Sequence, residues 1–527
     1  MDSYNRSINK SSRIILSVYI CLIYIALADV FISDSPIFVL GSALIIAAIT
    51  YLVAKYIFRL ISGIPVNPPE SVEKQTLLRV FALSSLICFA IMMLWFIGFR
   101  PGSFQGDCTY QLEQALTGKY TDWNPVWHTL LFYTIPLKLT GGKLWSMTFF
   151  QMIWFSLAIG YMSITTYEYA GKLWTIISFG YIVLNPYTGQ MMLYPWKDSA
   201  FAITGLLISV MLLKILHTHG EWADKPWLAI LLGFLLASLS IFRHNGVLFS
   251  IPVIILLVLW IDKSRLLIVF ISFTLSMIIV KGPVYRMVNV EHTPQTVEQA
   301  VGLPMTILAN VTRETPELLD LETAEFMYSI APQETWENEY QLGNYGVVKY
   351  WSDINHQAIE DKGVIPIFMM ALRSFTYSPG PAIKATLALT DIVYGIDLLD
   401  EGYIGTQIIP NKLGLVEEGN PTIASILTIY YKIIRFHGFN FLRQSACSLL
   451  IILLISLSKN NFDKNGISGL LPITPLFIYA FGTMLLLTSA DSRFFYIAYI
   501  TCPIYCLIEI MNKPSIVSSP ENKEVPE

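Results

Sequence analysis

The sequence predicts an all-α polytopic membrane protein: a bundle of about twelve transmembrane helices, a re-entrant or juxtamembrane outer loop and a helical insert outside the membrane. Three observations predict it. Apolar residues make up 54% of the 527 residues and charged residues 14%, against about 45–50% and about 25% in soluble domains. Apolar runs approaching the roughly 20 residues that span a bilayer recur along the chain, and only helices or closed barrels satisfy the backbone in lipid. Lys and Arg gather in alternate connecting loops. The net charge of -4 is small for this length and argues for neither nucleic acid nor a strongly anionic surface partner.

The expected spans run approximately Ile14 to Val30, Pro36 to Phe58, Val80 to Phe99, Trp145 to Thr166, Leu173 to Leu193, Ser199 to Leu216, Trp227 to Phe242, Val247 to Ile261, Leu266 to Lys281, Phe441 to Leu457, Gly469 to Leu487 and Phe494 to Met511. The first reads as a retained anchor rather than a cleaved signal peptide. Arg6, Lys10 and Arg13 before it, Lys55, Arg59, Lys74 and Arg79 after the second, and Lys263 with Arg265 mark the cytoplasmic side, so the loop Phe99 to Asn124 faces outward. Keeping that rule further on requires Val126 to Leu139, short and interrupted by Pro136, to dip in and return. The six cysteines mostly lie in apolar runs without metal-ligand spacing and read as small buried hydrophobes.

These features divide the chain into a transmembrane module (1–281) with an outer loop (99–143), an acidic outer insert (282–376), interfacial and C-terminal transmembrane helices (377–512), and a polar cytosolic tail (513–527). The insert carries the amphipathic-looking VEQAVGLPMTILANVTRE and helix starts after Thr315-Pro316 and Ala331-Pro332. Its aromatics Trp336, Tyr340, Tyr345, Tyr350 and Trp351 either stack on sugars or form a small core. Val364 to Tyr377 and Ala382 to Tyr394 read as short interfacial helices.

Four polar clusters then fall on one side: Asp107 in the first outer loop, which carries Asp122 near its other end, Lys197 and Asp198 in YPWKDS, Arg243, His244 and Asn245 in FRHNG, and Asp491 with Arg493 in SADSRFFY. Any one alone reads as an interface anchor or helix cap. Together they set cations beside acids and amides, the pattern that holds a phosphate and activates a hydroxyl. His128 and His244 lack the partnered spacing of a zinc site.

In order along nearly the whole chain, Asp107, the DWNPVWHTLL stretch, the KD pair, RHNG and the final acid-x-Arg-aromatic segment resemble the GT-C superfamily of polyprenyl-phosphate-dependent glycosyltransferases, nearest a bacterial membrane-protein family of formerly unknown function. The resemblance implies a glycosyltransferase of the bacterial plasma membrane with its active site on the extracytoplasmic face. The donor would be a polyprenyl-phosphate-linked sugar and the acceptor a glycan, lipid or protein hydroxyl. Asp107 would be the general base, and Lys197, Arg243 and Arg493 would hold the phosphate. Asp122 would orient the acceptor or help bind a divalent cation, the one cofactor the resemblance leaves open. Asn124 stands where relatives often carry His before Pro. A flippase for lipid-linked glycans and a non-catalytic polysaccharide-assembly protein are the alternatives; the first predicts internal repeats and mid-membrane charges, whereas these clusters lie at the ends of the apolar runs.

Overall fold

The computed structural model describes residues 10–31, 36–293, 297–348, 354–396, 407–436, 444–459 and 466–511. The expected tail from Lys513, together with Tyr350 and Trp351, lies outside these residues. Among the described residues no strand forms, and extended pairing is limited to isolated bridges. The N-terminal half contains α1 (Lys10–Phe31), α2 (Pro36–Ser62), α3 (Lys74–Gly98), α4 (Gly106–Thr117), a broken α5 (126–139), α6 (Ser146–Val183), α7 (Pro186–Leu193), α8 (Lys197–His217), α9 (Pro226–Phe242), α10 (Val247–Leu257) and α11 (Lys263–Ile279). The remainder contains α12 (Gly302–Glu314), α13 (Leu321–Ile330), α14 (Gln333–Asn338), α15 (His356–Lys362), α16 (Val364–Tyr377), α17 (Pro379–Tyr394), α18 (Pro421–Phe436), α19 (Ser445–Lys459), α20 (Thr474–Met484) and α21 (Tyr496–Met511).

Among the described residues, six helices are long and apolar enough to cross a membrane: Phe38–Ser62, Lys74–Gly98, Ser146–Val183, Lys197–His217, Lys263–Met287 and Ser492–Met511. Six further apolar helices among the described residues have 10–17 residues, so several expected spans are shorter than their apolar runs suggest. The run Leu173 to Leu193 shows why. Its helix stops at Val183, and Asn185 starts α7 by accepting from the Tyr187 N–H at 2.9 Å, with Pro186 at the first helical position. Upstream, Gly171 breaks α6 with φ 82° where the chain meets the Asn67 carbonyl, a conformation suited to glycine. The helix α18 lay outside the expected set; its exposed Ile426, Ile429 and Ile433 form one apolar face.

Helices α8 and α21 pack on each other at the centre. Of the apolar window of α8, 94% is buried inside the protein, against 11% for Phe38–Ser62 and Lys263–Met287 at the rim. A helix apolar all round suits a central position, and the rim helices present bare Leu and Ile side chains of the kind lipid would cover.

The segment Val126 to Leu139 forms two helical pieces around a π turn, Leu130–Thr134. Pro136 lacks an N–H and its ring crowds the carbonyl four residues back, which a π turn relieves. Fourteen residues reach about 21 Å, short of a hydrocarbon core of about 30 Å. Instead α5 docks on the bundle: Tyr133 donates to the Pro195 carbonyl at 2.8 Å, and His128 and Phe132 meet the Phe242 ring edge to face.

In the insert, Trp336, Tyr340 and Tyr345 are buried. The Trp336 indole donates to the Met327 and Ala331 carbonyls at 3.1 and 3.2 Å, and the Tyr340 hydroxyl to Thr306 at 3.1 Å. These three build a small helical core, which settles the choice between core and sugar platform for them. Helix α12, expected to be amphipathic, is buried from Gly302 through Thr312 because α16 and α17 cover it. The boundary expected at Gly282 falls inside a helical run that continues to Met287.

Candidate functional site

The segment from Phe99 to Asn124 is not a loop throughout. Gly106–Thr117 is helical, ended by Gly118 in the left-handed conformation, and Asp107 sits in its first turn. Lys197 and Asp198 open α8, and Asp491 accepts from the Arg493 N–H at 3.0 Å at the turn leading into α21. Three acids therefore stand at three helix starts, where the exposed N–H groups favour negative charge. The approach to α4 is pinned by Ser103 N–H to Leu193 (2.9 Å) and Phe104 N–H to Gln407 (2.8 Å), which fixes where Asp107 is held.

The four clusters converge. Lys197 Nζ lies 3.0 Å from Asp107 Oδ2 and donates to Asn124 Oδ1 at 2.6 Å. Arg493 Nη1 stands 3.9 Å from the same Asp107 oxygen, while its Nε is 2.8 Å from Asp491 and 4.0 Å from Asp198. Arg243 donates to Asp198, and its Nε to Asn245 at 3.1 Å; Asn245 in turn donates to Thr483 at 2.8 Å. Three cations and three acids interlock, so each charge has a counter-charge.

Burial orders the cluster in depth. The Asp198 side chain is 0% exposed and that of Arg243 10%, whereas Lys197, Arg493 and Asp107 are 18%, 23% and 27% exposed. Asp198 and Arg243 thus form the sealed floor, and the other three reach the open side of the cluster. Phe494 lies under both guanidinium groups, 4.2 Å from Arg243 and 5.1 Å from Arg493. Trp196, stacked on Tyr194 with ring centroids 3.8 Å apart, lies 5.1 Å from Arg493. These rings hold the arginines in place by packing and cation–π attraction.

Burial alone would raise the Asp107 carboxyl, but Lys197 and then Arg493 outweigh it and hold it down at about 2. Because the folded carboxyl titrates below the unfolded one, its contribution to stability is complete above about pH 4. It is lost as pH falls through about 2. Wild type and Asp107→Asn in detergent should therefore differ in stability at pH 5 and converge across that acid window. A gap that persisted unchanged under acid would contradict the ion-pair account.

The structure places the other expected residues elsewhere. Asp122 turns to the insert: its Oδ2 lies 2.6 Å from His292 Nδ1 and its Oδ1 accepts from the Thr293 N–H at 2.6 Å. Burial raises its carboxyl, and the Thr293 N–H and His292 outweigh that and lower it. His244 is exposed and none of the described ion pairs includes it. Sequence reasoning missed Asn124 as an anchor for Lys197, and missed Gln111, whose Nε2 is 3.0 Å from His128 Nδ1 and 2.9 Å from Thr129. Burial and the nearby Lys197 push His128 down to about 3 and keep it neutral. The spacing carried a signal for Gln111, which is one turn from Asp107 on α4.

Asp107 presents one carboxylate flanked by two cations, a setting that repels a divalent cation, and Asp122 is engaged by His292. No family model, curated protein or solved structure matches this chain.

Proposed function

We propose that this chain is a membrane glycosyltransferase of GT-C type, its long and short apolar helices crossing the bacterial plasma membrane as a bundle of about twelve spans. It would move a sugar from a polyprenyl-phosphate donor to a hydroxyl of an envelope glycan, lipid or protein on the outer face. The observation that carries this reading is the shared placement of Asp107 with Lys197 and Arg493 at the open side of the cluster. A carboxylate that can take a hydroxyl proton stands beside two cations that can take a leaving phosphate.

In this reading the acceptor oxygen bonds to the anomeric carbon while its proton passes to Asp107. The bond from that carbon to the phosphate oxygen breaks, and its electron pair leaves with the lipid phosphate. Fixed cations stabilise that growing charge without reorganising. Arg493 can grip two phosphate oxygens at once, and Lys197 adds a point charge. Arg243 and Asp198 brace the floor.

Purified protein in liposomes, given radiolabelled polyprenyl-phosphate sugars and envelope acceptors, should move label into the acceptor. Facilitated movement of donor across the bilayer with no transfer would support the flippase instead. The topology has its own check. Lys119 and Ala490 are exposed, and cysteines placed at both should react with an impermeant maleimide added outside intact cells. Reaction of the two from opposite sides would remove the shared outer face.

A further inference from the structure

We propose, building on the glycosyltransferase reading, that Lys197 and Arg493 hold Asp107 idle in the free protein, and that the phosphate of an arriving lipid donor draws both cations away and releases the carboxylate as base. The site would then be a donor-gated base.

The geometry supports a handover. Both cations address one oxygen, Asp107 Oδ2, at 3.0 and 3.9 Å. Each also has a second anchor that would keep it in the site after release. Asn124 Oδ1 holds Lys197 at 2.6 Å, and Asp491 holds Arg493 at 2.8 Å. The Asn124 anchor is neutral, so it fixes the ammonium without competing for its charge as a second carboxylate would. The Asn124 side chain also hydrogen-bonds Asp107, so one neutral amide links the carboxylate to the ammonium that would leave it.

A carboxylate held at about 2 is a weak proton acceptor, since efficient general bases titrate nearer the working pH. Removing a neighbouring cation raises a carboxyl by about 1–3 pH units. The other titratable groups facing Asp107 are Cys108, His128 and Tyr133. Burial keeps Cys108 and Tyr133 protonated and His128 unprotonated, so they do not take over when the cations shift. The coupling also has the right direction in time. A glycosyl phosphodiester carries one negative charge, and the departing lipid phosphate gains a second. The cations are drawn hardest as the proton must move, which favours the transition state over the bound donor.

The test uses the full chain in nanodiscs with carboxyl-labelled aspartate, the Asp107 signal being assigned by its loss in Asp107→Asn. Its titration midpoint is followed with and without farnesyl phosphate, a sugarless lipid phosphate, and binding is measured separately by calorimetry. The expected result is binding together with a midpoint higher by about one pH unit or more. Lys197→Gln should raise the resting midpoint without any ligand. Binding with an unmoved midpoint, or an unmoved resting midpoint in Lys197→Gln, overturns the gating and leaves the glycosyltransferase reading standing. No binding of farnesyl phosphate overturns the donor class itself. An equal response to inorganic phosphate at the same concentration overturns the assignment to a lipid donor.

Discussion

Asp107→Asn is expected to lower sugar transfer by about 10²- to 10⁴-fold, the usual loss when a general base is removed, while the protein still folds. The amide keeps the size of the carboxylate and an oxygen that Lys197 can reach, so the contact of α4 with α8 survives in weakened form. It cannot take the hydroxyl proton. Removing the negative charge also leaves Lys197 and Arg493 freer for an anion, so farnesyl phosphate should bind at least as well as in wild type. The signature is therefore a fall in kcat without a loss of donor affinity, a split that marks an interaction made in the transition state. Initial rates with a defined lipid-linked sugar, paired with calorimetry, measure both. Near-normal turnover would strike Asp107 from the mechanism. Asp122 would be a poor replacement, because His292 and the Thr293 N–H already engage both of its oxygens.

Asp198→Ala is expected to cost about 3–5 kcal/mol of stability, the range for removing one member of a buried ion pair. The Asp198 side chain is fully enclosed and pairs with Arg243, whose own side chain is nearly so. Its loss strands the Arg243 guanidinium in a dry site with only Asn245 as a neutral partner and takes the nearest acid on the floor from Arg493. Desolvated charge without a counter-charge is the expensive outcome. Asp198→Asn, which keeps an acceptor oxygen, should lose less. Denaturation in mild detergent reads both, and a wild-type midpoint for Asp198→Ala would show that the floor contributes little. An unstable Asp198→Ala would also bind farnesyl phosphate weakly, through displacement of Arg493.

How far the site was readable follows from the range of the interactions. That Lys197-Asp198, Arg243-His244-Asn245 and Asp491-Arg493 gather at one end could be argued from alternating apolar runs and charged loops, since crossing a membrane converts span parity into sidedness. The pairings could not. Asp107 and Lys197 are 90 residues apart in sequence, and nothing local says that Lys197 meets Asp107 rather than Asp122, or that Asp122 turns to His292. Helix α4 was hidden differently. Its mixed polar sequence GDCTYQLEQALT sits in a polar stretch, yet Cys108, Gln111 and Leu112 recur at helical spacing and are buried.

By itself the sequence determined that this chain is helical and rich in membrane-length apolar segments, because apolar content and the 3.6-residue period are local properties that each segment carries alone. It also marked Val364–Tyr377 to the residue, between Gly363 and the break before Pro379. Only the tertiary structure decided which helix lies at the centre, which aromatics of the insert are core, and which cation faces which acid. Those depend on how α8, α21, α4 and the FRHNG turn pack, and packing sums many weak contacts between distant residues that no short stretch of sequence records.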